Sequence, residues 1–256
     1  MESVVKRAMD AKHYLLKISL DRQRVPGFTG YPFNIPAVKG FHEIEFHPAV
    51  TFFMGENGVG KSTLIEAIAV ACGFNPEGGS RGFKFSTCQT HSDLHDFLRL
   101  QKGVKKPADG YFLRAESFYN VATSIDEMDA IPSTARKIIE AYGEESLHKM
   151  SHGESFMALM LHRFRGKGLY ILDEPEAAMS PSRLLMMLSR IHQLVEEGSQ
   201  FIISTHSPIL MAYPTAKILQ IDGEGIKEVQ YEETEHYTIT RQFLNNRQAM
   251  LKELLR

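Results

Sequence analysis

Residues 50–74 read "VTFFMGENGVGKSTLIEAIAVACGF", and the rest of the chain can be interpreted outward from them. The first five residues are strongly apolar, as in a short buried strand. After the loop "GENGVGKS", apolar residues recur at helical spacing up to Gly73, a predicted helix C-cap. A strand, a glycine-rich loop and a helix in this order predict an α/β protein.

The loop matches the pattern G-x-x-x-x-G-K-[ST] at Gly55, Gly60, Lys61 and Ser62. Its glycines let backbone N–H groups turn toward an anion, and the helix that follows directs its positive end to the same point. Lys61 is expected to point into solvent until it meets the β and γ phosphates of a nucleotide, and the Ser62 hydroxyl would bind Mg²⁺. A tight turn with a solvated lysine is the alternative. The predicted phosphate-binding residues are Gly55, Glu56, Asn57, Gly58, Val59, Gly60, Lys61, Ser62 and Thr63.

Two further strands are expected to end in polar side chains at the same edge of the sheet. In "GLYILDEPE" (168–176), four apolar residues precede Asp173, predicted to hold Mg²⁺, and Glu174, predicted to orient or deprotonate a water molecule. In "FIISTHSPIL" (201–210), His206 follows the strand and could contact the γ phosphate or that water. Taken alone, the acidic pair could mark a helix entrance and the histidine could be a surface ring beside a helix cap.

The stretch "KMSHGESFMALMLHRF" (149–164) allows three interpretations. Ser151 and Glu154 form an S-x-x-E capping box before an apolar stripe of Phe156, Leu159, Met160 and Leu161. Half of a serine-hydrolase elbow is disfavoured, because the required glycine two residues after Ser155 is a methionine. A phosphate-binding helix start is the third interpretation, and it depends on the other motifs.

Composition excludes several classes of protein. The chain has 256 residues, 43% of them hydrophobic, and its 29 basic and 31 acidic side chains give a net charge of −2, so no overall field favours nucleic acid or an anionic membrane. Local basic residues do flank loops, namely Arg81, Lys84, Lys102, Lys105 and Lys106. The two cysteines, Cys72 and Cys88, fit neither a disulfide framework nor a metal site. No apolar run is long enough to span a membrane, so we expect a cytoplasmic protein.

Patterns elsewhere predict the remaining elements. We expect a strand at 13–20, an irregular arm up to Lys39, a helix near 92–102, and a strand in "YFLRA". Residues 117–150 are predicted to be mostly helical, and 181–197 to form another helix. A final hairpin is predicted to turn at Glu224–Gly225.

In order and approximate spacing, the motifs resemble the Walker A, signature, Walker B and switch histidine of ABC-type ATPases. They lie at Gly55–Ser62, Ser151–Glu154, Leu169–Glu174 and His206, and together with their flanking residues they span residues 50–208. The resemblance implies a single ABC-type ATPase domain over residues 1–256, a P-loop fold with a mostly parallel sheet. An N-terminal antiparallel β part and a small helical subdomain over about 117–165 would complete it.

The resemblance also implies a dimer and a second role for the capping box. In that family, the signature serine and glycine bind the γ phosphate of ATP held by a second subunit. The matching residues here are Ser151, His152, Gly153 and Glu154, with His152 and Glu154 replacing the Gly and Gln of many members. ATP and Mg²⁺ would then join two copies of the chain head to tail.

Two departures from the family pattern leave roles open. The family often has a D-loop ending in Leu-Asp after Walker B, and this chain has Met179–Ser180 there. A glutamine expected after the next strand is missing, and Glu116 is the candidate replacement for metal or water contact, with a helix N-terminal carboxylate as the alternative. Candidates for stacking on adenine are Tyr31, Phe33, Phe41 and Phe46, which the sequence does not rank.

Within the family, "GENGVGKSTLIEAIAV" resembles the heads of DNA-repair and chromosome-organising proteins more than transporter subunits. The chain also resembles small stand-alone bacterial ATPases and the ATPase parts of anti-phage defence proteins. The resemblance implies a soluble ATPase that switches a nucleic-acid or protein partner. A transporter's ATP-binding subunit and a non-hydrolysing nucleotide sensor are the alternatives.

Overall fold

The computed structural model describes residues 14–81, 92–132, 134, 136–143, 145–177 and 179–256. Lys84 and Cys88 lie outside the described residues. The strands are β1 (Leu15–Leu20), β2 (Glu43–Glu45), β3 (Val50–Gly55), β4 (Leu98–Lys102), β5 (Asp109–Arg114), β6 (Gly168–Asp173), β7 (Gln200–Ser204), β8 (Lys217–Asp222) and β9 (Gly225–Val229). The α-helices are α1 (Pro36–Lys39), α2 (Lys61–Ala71), α3 (Phe118–Ala130), α4 (His152–Ala158), α5 (Pro181–Glu196), α6 (Pro208–Met211), α7 (Glu235–Asn245) and α8 (Arg247–Leu254).

The strands form two sheets of different type. The larger sheet has six strands in the order β5-β6-β7-β3-β8-β9, and all its neighbours pair in parallel except the terminal hairpin of β8 and β9. The smaller sheet, in the order β2-β1-β4, is antiparallel. The predicted mostly parallel core and N-terminal antiparallel part are therefore confirmed.

The central strands β3, β6 and β7 of the large sheet are buried on both faces, which explains why they are nearly continuous apolar runs. Neighbouring residues of β3 point to opposite sides: Phe52 joins a core cluster with α3, α4 and α5, whereas Phe53 joins one with α2 and the small sheet. All six residues of β3 and of β6 are buried. The parallel strands are thus held rigidly between two apolar layers, with their carboxyl ends at one edge.

Gln200 joins the two sheets through its side chain. This fully buried amide accepts hydrogen bonds from the backbone N–H groups of Tyr14 and Leu15, at 3.0 and 2.9 Å. Its Nε2 donates to the carbonyls of Leu15 and His47, at 2.9 and 3.0 Å. One side chain at the start of β7 therefore satisfies backbone groups of the small sheet that have no water available.

The structure differs from the sequence-based expectations in four places. The helix predicted near 92–102 is wrong: Asp93–Phe97 form a short 3-10 helix and Leu98–Lys102 form β4. The hairpin turns one residue earlier than predicted, because Asp222 pairs with Gly225. Of residues 117–150, only α3 is an α-helix among those described, and short 3-10 turns follow it. Helices α7 and α8 have no buried residue, and no sequence pattern led us to predict them.

The apolar stripe after the capping box is also only partly correct. Phe156, Leu159 and Met160 are buried as predicted, whereas Leu161 is 47% exposed. Helix α4 continues into a π-helical turn at Leu159–Arg163. Because that turn bonds residue i to i+5, it changes the angular phase of the helix and carries Leu161 to the surface.

We predict that Gln200→Leu destabilises the protein by at least about 2 kcal/mol, because buried N–H groups of Tyr14 and Leu15 lose their acceptor and each unsatisfied group costs about 1–3 kcal/mol. The free energy of unfolding in urea measures this loss. Gln101→Leu makes the same chemical change at an exposed position of β4 and is expected to change stability by less than about 0.5 kcal/mol. Equal stability of the two variants would show that the amide bridge is dispensable.

Candidate nucleotide-binding site

Four strand ends line up at the carboxyl edge of the large sheet. Arg114 of β5 pairs with Asp173 of β6, Asp173 pairs with Ser204 of β7, and Ser204 pairs with Phe53 of β3. Phe53 lies two residues before Gly55, where the glycine-rich loop begins. Because adjacent strands are about 4.8 Å apart, the register brings the motifs of β3, β6 and β7 together in one row.

The loop between β3 and α2 has a backbone conformation that requires glycine. Gly55, Gly58 and Gly60 have φ values of +151°, +84° and +97°, a region that side chains disfavour. A Cβ on Gly55 would lie 2.3 Å from the carbonyl oxygen of Ile221 in β8. This carbonyl belongs to a paired strand and cannot move freely, so the loop and β8 are packed as closely as glycine allows.

Lys61 is folded into the loop and does not point into solvent. It is only 4% exposed, and its Nζ donates to the carbonyls of Gly55 and Glu56, each at 2.9 Å. Burial lowers the pKa of Lys61, while the nearby carboxylates of Glu174, Asp173 and Glu176 oppose that shift. The expectation of a lysine that points into solvent is therefore wrong, because these carbonyls provide acceptors inside the loop.

Asp173 is the buried carboxylate at the centre of the row. It is 4% exposed and accepts hydrogen bonds from the hydroxyls of Ser204 and Ser62, the latter at 3.2 Å. Burial raises its pKa, although the Ser204 hydrogen bond, the Arg114 charge and the Ser62 hydrogen bond act in the opposite direction. The two predicted metal-binding side chains are thus in direct contact.

Glu174 and His206, the predicted catalytic pair, also meet at this edge. Glu174 has a φ of +49°, which is strained for a residue with a side chain, and its N–H donates to the Ser204 carbonyl at 3.1 Å. Its Oε1 lies 3.4 Å from Nε2 of His206. Among the described residues, this buried Nε2 has no aligned hydrogen-bond partner, so the ring nitrogen facing the site remains unsatisfied.

Two residues that the sequence did not single out hold His206 in place. The backbone N–H of His206 donates to Oε1 of Glu176 at 2.5 Å, and its Nδ1 lies 3.0 Å from Nε2 of His236 in α7. Burial, with the charges of Lys61 and His236, lowers the pKa of His206 to about 4. The ring is therefore neutral at pH 7. The second glutamate of "DEPE" was a visible signal, whereas nothing local marks His236.

Glu116, the candidate replacement for the family's glutamine, lies in a different environment. Its side chain is 83% exposed and pairs with Arg114 at 3.3 Å. Arg114 also pairs with the buried Glu66 of α2, and burial leaves its Nε without a partner in the described structure. Arg114, which the sequence did not single out, is thus the charged residue at the β5 end of the row, and the exposed Glu116 pairs with it.

The capping box at 151–154 is present as predicted. The Ser151 hydroxyl accepts from the Glu154 N–H at 3.4 Å, and the Glu154 carboxylate accepts from the Ser151 N–H at 2.9 Å. Arg183 of α5 donates to Glu154 at 3.0 Å. Ser151, His152 and Glu154 are exposed, whereas Gly153 is buried. Ser151 and Glu154 thus form hydrogen bonds with each other and with Arg183 of α5, and not with the glycine-rich loop.

The structure separates the four aromatic candidates for adenine stacking. Phe33, Phe41 and Phe46 are buried in the core beside the small sheet. Tyr31 is 64% exposed, and its hydroxyl lies 3.4 Å from Oγ1 of Thr63 in α2. Tyr31 is therefore the one of the four that could receive a base beside the loop without repacking of the core.

The parallel sheet, the glycine-rich loop and the buried Asp173 define a P-loop nucleotide-binding protein. Residues 31–142 match the family described as "AAA domain", and residues 120–212 match "AAA domain, putative AbiEii toxin, Type IV TA system". The motifs of the chain occur in the order of the Walker A, signature, Walker B and switch-histidine motifs, and in this the chain is similar to the ABC-type ATPases.

The descriptions of related proteins agree with this similarity. The chain is 26% identical over 188 residues to a "Putative ABC transporter ATP-binding protein" of Caldanaerobacter subterraneus, covering 68% of this chain and 77% of the relative. It is 28% identical to a protein of the same description in Methanothermobacter marburgensis, covering 77% and 74%. The solved structure of CbiO1 from Clostridium perfringens superposes with a TM-score of 0.48 at 18% sequence identity. The match covers 94% of this chain and 99% of CbiO1, and no function is inferred from it. Within the described ranges, no helix is long and apolar enough to cross a membrane.

We predict that Gly55→Ala lowers the affinity for ATP at least about tenfold, or 1.4 kcal/mol, because the added Cβ pushes the loop away from β8. Titration with a fluorescent ATP analogue measures this change. Gly73→Ala is the matched control, because Gly73 also has a positive φ of +93° but no neighbouring atom lies within 4 Å of the position that a Cβ would take there. Equal ATP affinities in the two variants would show that the close approach at Gly55 does not shape the site.

Proposed function

We propose that this chain hydrolyses ATP with Mg²⁺ in a head-to-tail dimer and uses the cycle to switch a nucleic-acid or protein partner. One observation carries the catalytic part: Asp173 contacts Ser62, and the next residue, Glu174, lies against His206. A metal-binding pair and a catalytic pair thus adjoin at the loop that would hold the phosphates.

The loop supports binding of the phosphates by exchange of hydrogen bonds. Lys61 Nζ is held by two backbone carbonyls, and phosphate oxygens would replace them as acceptors. A charge-assisted bond to phosphate is stronger than a bond to a neutral carbonyl. The backbone N–H groups of the glycine-rich loop and the start of α2 would supply further donors.

The residues present fit Mg²⁺. The Ser62 hydroxyl and the Asp173 carboxylate are hard oxygen donors already in contact, and burial raises the pKa of the carboxylate, a cost that a bound cation would offset. Mg²⁺ commonly uses one or two protein ligands together with phosphate oxygens and water. When bound, Mg²⁺ would neutralise negative charge on the phosphates and on Asp173. Glu116, exposed and paired with Arg114, has less support as a ligand.

Glu174 is the proposed base for hydrolysis. Its carboxylate would accept a proton as a water oxygen bonds to the γ phosphorus and the bond to the β-phosphate oxygen breaks, giving ADP and phosphate. The unpartnered Nε2 of His206 faces the same space and would donate a hydrogen bond to the γ phosphate. The strained backbone of Glu174 is consistent with a functional position, because such strain concentrates at active sites.

A dimer is supported by the arrangement of the signature residues. Ser151 and Glu154 are exposed and tied to Arg183, away from the loop of their own chain. In the family resemblance these residues complete an ATP site on a second subunit, so one copy would hold two incomplete half-sites. ATP bound between two copies would then act as a shared ligand that stabilises the dimer.

Support for the kind of partner comes from the descriptions of matching families and relatives and not from the geometry of the site. One matching family is described through a toxin of a Type IV TA system, which agrees with the defence-like resemblance. The relatives' names favour a second candidate, the ATP-binding subunit of a transporter. Co-purification with a membrane permease would support the second candidate, whereas capture of nucleic acid or a non-membrane protein by the ATP-trapped Glu174→Gln variant would support the first.

We predict that Glu174→Gln retains ATP and Mg²⁺ binding but lowers the rate of hydrolysis by roughly 100-fold or more, because the amide keeps the shape and removes the base. Phosphate release under single-turnover conditions, together with a separate binding titration, measures the two effects. The exposed Glu197 lies near the opposite edge of the sheet, so Glu197→Gln should leave both unchanged. Hydrolysis by Glu174→Gln near the wild-type rate would exclude Glu174 as the base.

We predict that Ser151→Arg binds ATP normally as a monomer but neither dimerises on ATP nor hydrolyses it, because the arginine would occupy the space of the partner's γ phosphate. Mixing it with Lys61→Ala should restore part of the activity, since one site of the mixed dimer is then built from intact halves. Loss of a cap alone would cost about 0.5–2 kcal/mol of stability without dependence on a second subunit.

The control for this mixture is Lys61→Ala with Glu174→Gln. Both of these defects lie in the same half-site of their own chain, so every site of that mixed dimer carries one defect and no activity should return. Full activity of Ser151→Arg by itself would show that residues 151–154 are only a helix cap.

A further inference from the structure

Helix α7 brings a second histidine onto the proposed switch histidine. Nε2 of His236 lies 3.0 Å from Nδ1 of His206, and the ring centroids are 5.2 Å apart. His236 is 30 residues away in sequence and belongs to none of the ABC-type motifs. The contact uses the ring nitrogen of His206 that faces away from Glu174, so it leaves the other nitrogen toward the site.

The start of α7 is fixed to the segment that carries His206. The Tyr231 hydroxyl donates to the carbonyl of Pro208 in α6 at 3.0 Å. The fully buried Thr234 caps α7 by accepting from the Tyr237 N–H, and the rings of Tyr231 and Tyr237 are 4.6 Å apart. His236 is therefore presented to His206 by an anchored helix start and not by a loosely held chain end.

The contacts of His206 with His236 and with Glu174 together favour one tautomer of its ring. Burial lowers the pKa of both histidines, so at neutral pH both rings are uncharged and each carries one N–H. If His206 carried its proton on Nδ1, the bare Nε2 lone pair would face the Glu174 carboxylate at 3.4 Å, which is repulsive. If Nε2–H of His236 donates to Nδ1 of His206, then His206 carries its proton on Nε2, facing Glu174.

We propose that His236 is a positioning residue that holds His206 in the Nε2–H tautomer, ready to donate a hydrogen bond to the γ phosphate. This inference rests on the proposed function for its effect on hydrolysis. His236 acts through His206 and does not contact the substrate. A neutral histidine is donor at one nitrogen and acceptor at the other, so its tautomer is set by the partner of the second nitrogen.

A direct contact between His236 and ATP is the competing explanation. A cavity of about 560 Å³ lies between the glycine-rich loop and α7, and it is lined by Glu56, Asn57, His206, Glu235, His236, Ile239 and Thr240. A ligand entering this cavity could touch His236 itself. In that case, loss of the imidazole would weaken ATP binding even when His206 is absent, which the two variants combined can test.

The kinetic experiment compares His236→Ala, His206→Ala and the double variant in the full chain. We expect His236→Ala to lower kcat roughly tenfold, because the loss of an orienting hydrogen bond commonly has an effect of about that size. The ATP affinity should stay within about twofold of wild type. In the His206→Ala background the same substitution should have no further effect. His236→Gln should restore most of kcat, because its amide N–H can replace Nε2–H. Gln242→Ala, at an exposed position of α7 that does not line the cavity, is the control and should match wild type.

A second measurement does not depend on activity. The ¹⁵N chemical shifts of the His206 ring, assigned by their loss in His206→Ala, report which nitrogen carries the proton. We expect Nε2–H in wild type and in His236→Gln, and a measurably larger share of Nδ1–H in His236→Ala, where only Glu174 still opposes that tautomer. Thermal unfolding of each variant verifies that the fold is retained.

Three results would overturn the inference: an Nδ1–H tautomer in wild type, an unchanged tautomer and kcat in His236→Ala, or weaker ATP binding from His236→Ala in the His206→Ala background. Suppose that the wild-type protein does not hydrolyse ATP but that the tautomer of His206 still depends on His236. The proposed function would then be rejected, and the role of His236 in setting the tautomer would be retained. The two failures are thus distinguishable.

Discussion

The site depends on a buried carboxylate held between two hydroxyls from different elements. Asp173 accepts from Ser62 at the start of α2 and from Ser204 at the end of β7, so a single side chain ties the glycine-rich loop to two strands. Such a carboxylate is costly to bury unless hydrogen bonds or a cation compensate for lost water. Its position therefore requires the register of β6 and β7, in which Asp173 and Ser204 are directly paired.

The apolar layers on both sides of the sheet make this arrangement possible. Backbone conformations such as that of Glu174, with φ of +49°, cost about 1–3 kcal/mol and persist only where the surroundings determine them. Phe52 and Phe53 pack into opposite core clusters, so β3 cannot shift by one residue without exchanging its buried faces. The core thus fixes the strand ends, and the strand ends hold the polar side chains in place.

The sequence was sufficient for the row of motifs but not for the contacts around them. Asp173 and His206 could be placed at one edge because each follows an apolar run and parallel strands end together. Lys61 was misjudged because its acceptors are backbone carbonyls, which no residue type reveals. His236 could not be found for a related reason: its contact with His206 depends on how α7 docks, and that docking uses isolated tyrosines and a threonine with no periodic pattern. Strand β4 shows the same limit in the fold, because its pairing with β1 satisfies backbone groups of both segments, a gain that local propensity does not include.

The position of Lys61 has a consequence for how tightly a nucleotide can bind. Its ammonium group already has two carbonyl acceptors at 2.9 Å. The free energy gained on binding phosphate is therefore only the difference between the new hydrogen bonds to phosphate and the two that are lost. The carboxylates of Asp173, Glu174 and Glu176 meanwhile hold negative charge close to the lysine, which an incoming anion must face. A cation bound with the nucleotide would offset that repulsion directly. If the site binds a nucleotide as proposed, we therefore expect phosphate affinity to depend on the cation, with weaker binding in its absence.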